Sequence, residues 1–102
     1  MPTKNSLINR KLENLLLKIP EGKVTTYKIL AERLGVHPRK IAKMLSKNQN
    51  PSIPCYKVVY SNGKVGNYRF GGRKKKIELL KKEGIRIEKG KIVNLPKYLF
   101  FF

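Results

Sequence analysis

Apolar residues recur at spacings of three and four through the first half of the chain, a pattern typical of amphipathic helices. The first such run extends from Asn5 to Ile19, and the turn residues Pro20-Glu21-Gly22 end it. We predict Asn5 or Ser6 as the N-terminal cap of this helix. The positions expected to face the core are Ile8, Leu12, Leu15, Leu16 and Ile19.

Two shorter helices are predicted next. One follows Val24-Thr25-Thr26, where a threonine hydroxyl can cap it, and the other runs from about Pro38 to Asn48. Gly35 lies between them, at a position suited to the left-handed conformation that closes a helix. Two short helices joined by a glycine-containing turn indicate a helix-turn-helix unit. Its inward residues are predicted to be Tyr27, Leu30, Ala31, Leu34, Ile41, Ala42 and Leu45.

The second half of the chain predicts short strands around one further helix. Residues 55–60 are β-branched and extended in character, residues 61–64 form a hairpin turn, and residues 66–72 form a glycine-rich aromatic loop. A helix is predicted from Lys74 to Glu83, ended by Gly84, and a hairpin over residues 85–93. The apolar residues 95–102 are expected to pack back on the core. The fold predicted is mainly α with short β hairpins, a winged-helix-like helix-turn-helix domain covering residues 1–102.

The charge of the chain narrows the possible partners. Its 102 residues include 24 lysines and arginines but 6 acidic residues, all glutamates, so the formal net charge is +18. Such an imbalance favours a polyanionic partner, and nucleic acid leads. An anionic membrane is the rival, but no stretch of about 18 apolar residues and no signal peptide pattern occurs. We expect a cytoplasmic, nucleoid-associated protein with no membrane partner.

The third predicted helix carries a basic outer face, formed by Arg39, Lys40, Lys43 and Lys47. A recognition helix that meets phosphates and a groove needs such charge. The alternative is a solvated lysine-rich face on an ordinary helix. A plain helix-turn-helix regulator or DNA-coating protein would need no more than this charge.

Cys55 is the only cysteine and the only candidate for covalent chemistry. A thiolate is the reactive form of cysteine, and neighbouring cations raise its fraction. One cysteine forms no internal disulfide, and with the single histidine, His37, it cannot build a structural zinc site. We therefore expect neither metal nor cofactor. The loop over residues 66–72 lacks the strand-then-helix context of a P-loop.

Several motifs, in order along nearly the whole chain, resemble the active-site domain of the O6-alkylguanine-DNA alkyltransferases and the related alkyltransferase-like proteins. They include residues 22–27, the helix-turn-helix, Asn50-Pro51, residues 53–59 (IPCYKVV), Val65-Gly66-Asn67-Tyr68, residues 79–84 and residues 93–99. The resemblance implies a DNA repair protein that flips O6-alkylguanine out of duplex DNA and moves the alkyl group irreversibly onto Cys55. It implies a monomer that needs no cofactor.

The resemblance also implies roles for individual residues. Tyr27 would crowd the phosphate beside the flipped base, and Arg39, or else Lys40 or Lys43, would fill the gap in the stack. Glu83 would orient the residue after the cysteine, and either Asn48 or Asn50 would be the hinge asparagine. The candidate catalytic residues are Cys55, Tyr56 and Glu83; the candidate DNA contacts are Tyr27, Arg39, Lys40, Lys43, Lys47, Asn50 and Lys57; the candidate base-pocket residues are Tyr68, Arg69 and Gly71.

The chain departs from the family pattern in two ways. Tyr56 and Lys57 stand where the motif has histidine and then arginine, and a tyrosine hydroxyl, which titrates near 10, is a poor base at neutral pH. The chain also has the short form of the alkyltransferase-like proteins, which carry tryptophan where this chain has Cys55 and bind the lesion without repairing it. The cysteine favours the enzyme, and a non-catalytic lesion-binding protein that recruits other repair factors is the alternative.

Overall fold

The computed structural model describes residues 4–102, and its first half is helical. Helix α1 is Lys4–Leu17, α2 is Tyr27–Leu34 and α3 is Pro38–Ser46. The three helices predicted for this half are confirmed. The predicted cap of α1 is wrong, because Asn5 and Ser6 lie inside a helix that already includes Lys4.

The α2–α3 unit is closed by local hydrogen bonds. The Thr26 hydroxyl accepts from the Ile29 amide at 3.0 Å and caps α2. Gly35 has a φ of 69°, and its amide donates to the Ala31 carbonyl, so it ends α2 as predicted. His37 then caps α3, because its Nδ1 accepts from the Arg39 amide at 3.0 Å. These bonds fix the start and end of α2 and the start of α3.

A short parallel pairing connects the helix-turn-helix to the segment that carries the cysteine. Strand β1 (Thr25–Thr26) lies beside β2 (Val58–Val59). Residues 55–60 were predicted to be extended throughout, and this is wrong for Cys55–Lys57, which form a single 3₁₀ turn. The turn closes because the Lys57 amide donates to the Pro54 carbonyl at 3.1 Å. It places Cys55 immediately before the strand.

The second half contains one long helix and a hairpin. Helix α4 is Gly72–Lys82 and begins two residues earlier than predicted. Strands β3 (Ile87–Glu88) and β4 (Lys91–Ile92) pair antiparallel, which confirms the hairpin, and α5 is Leu95–Tyr98. The turn over residues 61–64 is also confirmed, since the Tyr60 amide donates to the Lys64 carbonyl at 2.9 Å.

The buried residues form two apolar clusters. One joins α1, the helix-turn-helix and the cysteine turn, and the other lies between α4, β2 and the β3–β4 hairpin. The C-terminal segment packs on both, as predicted: the Phe100 amide donates to the Val24 carbonyl, and Phe102 contacts the first cluster. The prediction of a mainly α helix-turn-helix fold is confirmed. No helix in residues 4–102 is long and apolar enough to cross a membrane.

Candidate active site

Cys55 lies at the wall of a cavity of about 440 Å³. The residue is buried, with 6 % of its surface exposed. Tyr27 comes from the start of α2, Leu45 from α3 and Tyr68 from the loop before α4, and all three line the same cavity. Residues from three separate segments thus surround one thiol, in a space the size of a small-molecule site.

Tyrosine rings form much of this cavity. Tyr27 and Tyr68, both predicted at the site, line it together with Tyr60, which was not predicted. The rings of Tyr27 and Tyr60 lie 4.8 Å apart between centroids. Burial raises the pKa of Tyr27 to about 12, so its hydroxyl remains a proton donor at neutral pH. Tyr27 is therefore both a core residue and a wall of the cavity.

Glu83 holds both residues that follow the cysteine. Its Oε2 accepts a short hydrogen bond from the Tyr56 hydroxyl, and its Oε1 lies 3.2 Å from the Lys57 ammonium. The Gly22 amide also donates to Oε1, at 2.9 Å. Burial, followed by the bond to Glu83, raises the pKa of Tyr56 far above its usual range. Tyr56 is consequently a neutral donor to Glu83 and cannot accept a proton from the thiol at neutral pH.

Lys57, one of the predicted DNA contacts, is buried inside the fold. It is 5 % exposed, and its ammonium donates to the Ile19 and Pro20 carbonyls at 3.2 and 3.1 Å in addition to pairing with Glu83. A buried lysine needs such partners, because an unpaired buried charge is costly. The ammonium is used inside the fold and does not face a phosphate, contrary to the prediction.

Lys76 is a buried cation near the thiol that the sequence did not reveal. Only 1 % of it is exposed, and its ammonium donates to the Val58 carbonyl at 2.6 Å and the Asn67 carbonyl at 3.3 Å. The ammonium also lies 5.8 Å from the Tyr27 ring centroid. A sequence signal did exist: Lys76 precedes the buried Leu80 by four residues, which places both on the inner face of α4.

Opposing influences act on the Cys55 thiol. Burial raises its pKa and outweighs a hydrogen bond from Asn48, the positive charge of Lys76 and its own backbone amide, which all lower it, so the pKa of the thiol lies above its ordinary value. Burial in turn lowers the pKa of Lys76 to about 8, an effect that the Cys55 charge opposes. Lys76 is therefore mostly protonated at neutral pH and favours the thiolate. Among the described residues, no group of three His, Cys, Asp or Glu side chains is arranged to hold a metal ion.

The structure distinguishes the two asparagines considered for the hinge. The Asn48 amide lies 3.9 Å from the Cys55 sulfur and 3.0 Å from the Asn50 carbonyl, so it links the end of α3 to the cysteine turn. Asn50 is exposed, and its side chain accepts from the Ser52 amide at 3.0 Å. Asn48 rather than Asn50 is positioned beside the thiol.

The loop before α4 contributes Arg69 but not Gly71 to the cavity. Arg69 lines it and donates to the Ser46 carbonyl at 3.0 Å, which ties the loop to the end of α3. Gly71 does not line the cavity, contrary to the prediction, whereas its neighbour Gly72 does. Gly71 has a φ of 135°, and an added Cβ would lie 2.7 Å from the Lys75 side chain. Its role is to start α4.

The basic residues predicted on α3 share one groove. The groove has a volume of about 560 Å³ and lies between α3 and the start of α1. Arg39, Lys43 and Lys47 are exposed and Lys40 is half-buried. The groove is lined by Arg39, Lys40, Lys43 and Lys47 with Ser6, Asn9, Met44 and Asn48. Since Asn48 also contacts the Cys55 sulfur, the groove and the thiol are one residue apart.

Comparison with known proteins finds a matching family model and similar sequences. Residues 8–85 match the family model "6-O-methylguanine DNA methyltransferase, DNA binding domain". A bifunctional methyltransferase/endonuclease from Thermoplasma volcanium is 47% identical over 93 residues, which are 87% of this chain and 29% of that protein. The chain thus spans under a third of this relative's length.

Two solved structures are similar in fold. The O6-methylguanine-DNA methyltransferase of Pyrococcus kodakaraensis superimposes with a TM-score of 0.68 and 33% identity, covering 76% of this chain and 46% of that one. An S. pombe ATL protein in complex with DNA gives a TM-score of 0.74 and 25% identity, with 98% of both chains covered. The chain is therefore similar to part of the first protein and to nearly all of the second.

Proposed function

This chain belongs to the 6-O-methylguanine DNA methyltransferase family through its DNA-binding domain, and from that premise we propose that it repairs O6-alkylguanine in duplex DNA by transferring the alkyl group to Cys55. The observation that carries the proposal is the position of Cys55 at the wall of an aromatic cavity, with the buried cation Lys76 acting on its sulfur. The family assignment supplies the lesion, and this cavity supplies a nucleophile and a space for the base.

The proposed reaction is a single displacement. The Cys55 thiolate attacks the alkyl carbon, a sulfur–carbon bond forms and the bond from that carbon to guanine O6 breaks. The electron pair remains on guanine, which regains its ordinary neutral form after protonation. The product thioether is stable, so each protein molecule acts once. Lys76 favours the thiolate, because its charge opposes the effect of burial on the sulfur.

The α3 groove and the cavity residues would bind the DNA. Extruding a base costs a few kcal/mol of stacking and pairing, which contacts to the backbone must offset. The basic groove on α3 is suited to that role, since phosphate contacts by lysine and arginine dominate affinity for DNA. Tyr27, Tyr68 and Arg69 would contact the flipped base. The substrate implies a cytoplasmic, nucleoid-associated protein acting as a monomer, with this activity carried by one domain.

Intact-protein mass spectrometry tests the transfer. The protein is incubated with a duplex containing O6-methylguanine, in parallel with Cys55→Ala and with an undamaged duplex. We expect a gain of one methyl group that maps to Cys55 and is missing in both controls. An unchanged mass for the wild-type protein at full occupancy of the lesion duplex would contradict the proposal.

A second candidate is a lesion-binding protein without transfer. The hydrogen bond that commits the Tyr56 proton to Glu83 favours it, because no base next to the thiol is then available. Unchanged mass together with selective binding of the lesion duplex would support this candidate. Equal binding of damaged and undamaged duplexes, with unchanged mass, would exclude both alkyl transfer and selective lesion binding.

A further inference from the structure

A second basic surface shares Tyr60 with the cavity that contains Cys55. Four cations, Lys64, Arg73, Lys89 and Lys91, surround a pocket of about 290 Å³, here called the basic pocket. All four side chains are exposed. They come from the turn after β2, the start of α4 and the β3–β4 hairpin, so that segments distant in sequence bring like charges together. No residue of α3 lines the basic pocket.

The charges of the basic pocket are not balanced within the fold. Across residues 6–102, no carboxylate lies within 4.0 Å of these four cations. Glu88 is the strand partner of Lys91 in the hairpin, but its carboxylate pairs with Arg86 at 2.9 Å. Lys64 and Lys91 face each other across an antiparallel bridge. Like charges directly opposite destabilise such a pairing, and an anion bound between them would remove that cost.

The backbone is shaped around the basic pocket. A Cβ on Gly90 would collide with the Arg73 guanidinium, so the absence of a side chain there allows Arg73 to lie against the hairpin. A Cβ on Gly66 would lie 2.7 Å from the Tyr60 ring, so that ring also depends on a glycine for its position. The two glycines thus leave room for the guanidinium and for the ring.

Tyr60 connects the basic pocket to the candidate active site. It lines both the basic pocket and the cavity that contains Cys55. A nucleotide whose base occupied that cavity would have its sugar and phosphates at the cavity mouth, where Tyr60 is 45 % exposed. The next phosphates of the same strand would then pass the four cations.

We propose that the basic pocket binds a phosphate of the DNA strand that carries the flipped nucleotide, as a contact separate from the helix-turn-helix groove. This inference rests on the proposed function, because the position of the strand follows from a base in the Cys55 cavity. The chemistry is that of guanidinium and ammonium groups on phosphate oxygens. The contact would hold the strand on the side of Tyr60 that α3 does not reach.

Salt-dependent binding tests the proposal. The double variant Arg73→Gln/Lys91→Gln is compared with Lys81→Gln/Lys82→Gln, which removes two exposed lysines from the other end of α4 and so removes the same charge. Affinity for an O6-methylguanine duplex is measured by fluorescence anisotropy over a range of salt. The plot of log affinity against log salt has a negative slope. We expect this slope to become shallower by about 0.9 for each phosphate that the first variant no longer neutralises, and to change less in the control.

A scan with methylphosphonates locates the contact. Neutral linkages are introduced singly on the lesion strand, and the wild-type protein should lose affinity at one position to which the basic-pocket variant is insensitive. A second pair, Lys64→Gln/Lys89→Gln, should give the same result, and thermal unfolding checks that each variant is folded. The proposal would be overturned if both double variants of the basic pocket gave the same slope as the control variant. It would also be overturned if every neutral linkage weakened binding of the variant as much as binding of the wild-type protein.

Two further outcomes are distinguishable. If the pocket binds only free anions, NMR titration with inorganic phosphate would shift the pocket amides while the DNA slope of the variants stayed equal to the control, and the DNA assignment would be overturned. A flat salt response of the wild-type protein would overturn DNA binding as a whole. Alkyl transfer is read separately by mass, so its failure alone leaves the contact testable on the bound duplex.

Discussion

At Cys55 the pKa of the thiol depends on one buried lysine whose own pKa is perturbed. Burial disfavours both charges and outweighs their mutual attraction, so the pKa of Cys55 is raised and that of Lys76 is lowered, while each charge still favours the other. Because the pKa of Lys76 is lowered to about 8, this support is present below that pH and is lost as the pH rises through it. The reactivity of Cys55 therefore depends on a residue 21 positions later in the chain.

Replacing Lys76 by methionine removes the charge while nearly preserving the volume. Without the cation the pKa of Cys55 rises further, so the thiolate fraction at pH 7 falls, by roughly tenfold for each unit of pKa. Iodoacetamide alkylation at pH 7, where Lys76 is mostly protonated, should be slower in Lys76→Met than in the wild-type protein. Lys74→Met, which changes an exposed lysine of the same helix, should leave the rate at pH 7 unchanged. An unchanged rate at pH 7 in Lys76→Met would contradict the role of its charge.

In the proposed reaction, Tyr56 also limits how readily the Cys55 thiol loses its proton. Its hydroxyl proton is held by Glu83, whereas an imidazole at this position titrates near 6.5 and can take the thiol proton while Glu83 orients it. We expect Tyr56→His to increase the single-turnover rate of methyl transfer by roughly tenfold or more. Tyr56→Phe serves as the control, because it removes the bond to Glu83 and supplies no base. A Tyr56→His variant no faster than the wild-type protein would show that proton removal does not limit the reaction.

At the scale of elements, β1 is a two-residue strand whose two threonines have different roles. The Thr26 hydroxyl caps α2, whereas the Thr25 hydroxyl is fully buried. Among the side chains of residues 6–102, it is the one buried polar atom that has no hydrogen-bond partner. A buried hydroxyl without a hydrogen-bond partner destabilises the fold, whereas a hydroxyl that caps a helix stabilises it. The same substitution should therefore act in opposite directions at adjacent positions.

We expect Thr25→Val to raise the free energy of unfolding by about 1 kcal/mol, because valine has nearly the same shape and needs no hydrogen bond. Thr26→Val should lower it by about 1 kcal/mol, because the Ile29 amide loses its acceptor. Urea unfolding followed by circular dichroism measures both. A destabilised Thr25→Val would mean that its hydroxyl is hydrogen-bonded in solution.

At the scale of the molecule, a net charge of +18 is distributed over more than one surface. The α3 groove includes Asn48, which contacts the Cys55 sulfur, and the basic pocket shares Tyr60 with the Cys55 cavity. Self-repulsion of this size weakens a compact fold, and a polyanion bound across both surfaces relieves it. The charge distribution therefore favours a DNA strand that passes over the thiol.

The salt dependence of binding measures this charge directly. If the four cations of α3 each neutralise a phosphate, they alone should give a slope of log affinity against log salt of roughly −3.6. Fluorescence anisotropy with the lesion duplex between low and physiological salt supplies the slope, and a matched undamaged duplex should give a similar slope at lower affinity. A flat response would exclude DNA as the partner.

Much of the fold was predictable because the deciding interactions are local. Helices α1 to α4 follow from apolar spacing, from Thr26 and Gly35 at their ends, and from the proline that starts α3. The prediction was wrong for Cys55–Lys57, where a 3₁₀ turn replaces extended backbone. That turn contains Lys57, whose side chain bonds to carbonyls 38 and 37 residues away, and no local pattern reports such contacts.

The sequence by itself identified the candidate nucleophile, the basic helix and the aromatic loop, because residue type and helical period suffice to place them. Only the tertiary structure decided which groups act on the thiol. Glu83 meets the Gly22 amide 61 residues earlier, and Lys76 meets the Val58 carbonyl 18 residues earlier. The tertiary structure also places the Asn48 amide beside the Cys55 sulfur, buries Lys57, and leaves Gly71 outside the lining of the cavity. These outcomes depend on how distant segments pack, and burial and charge pairing exist only once they have packed.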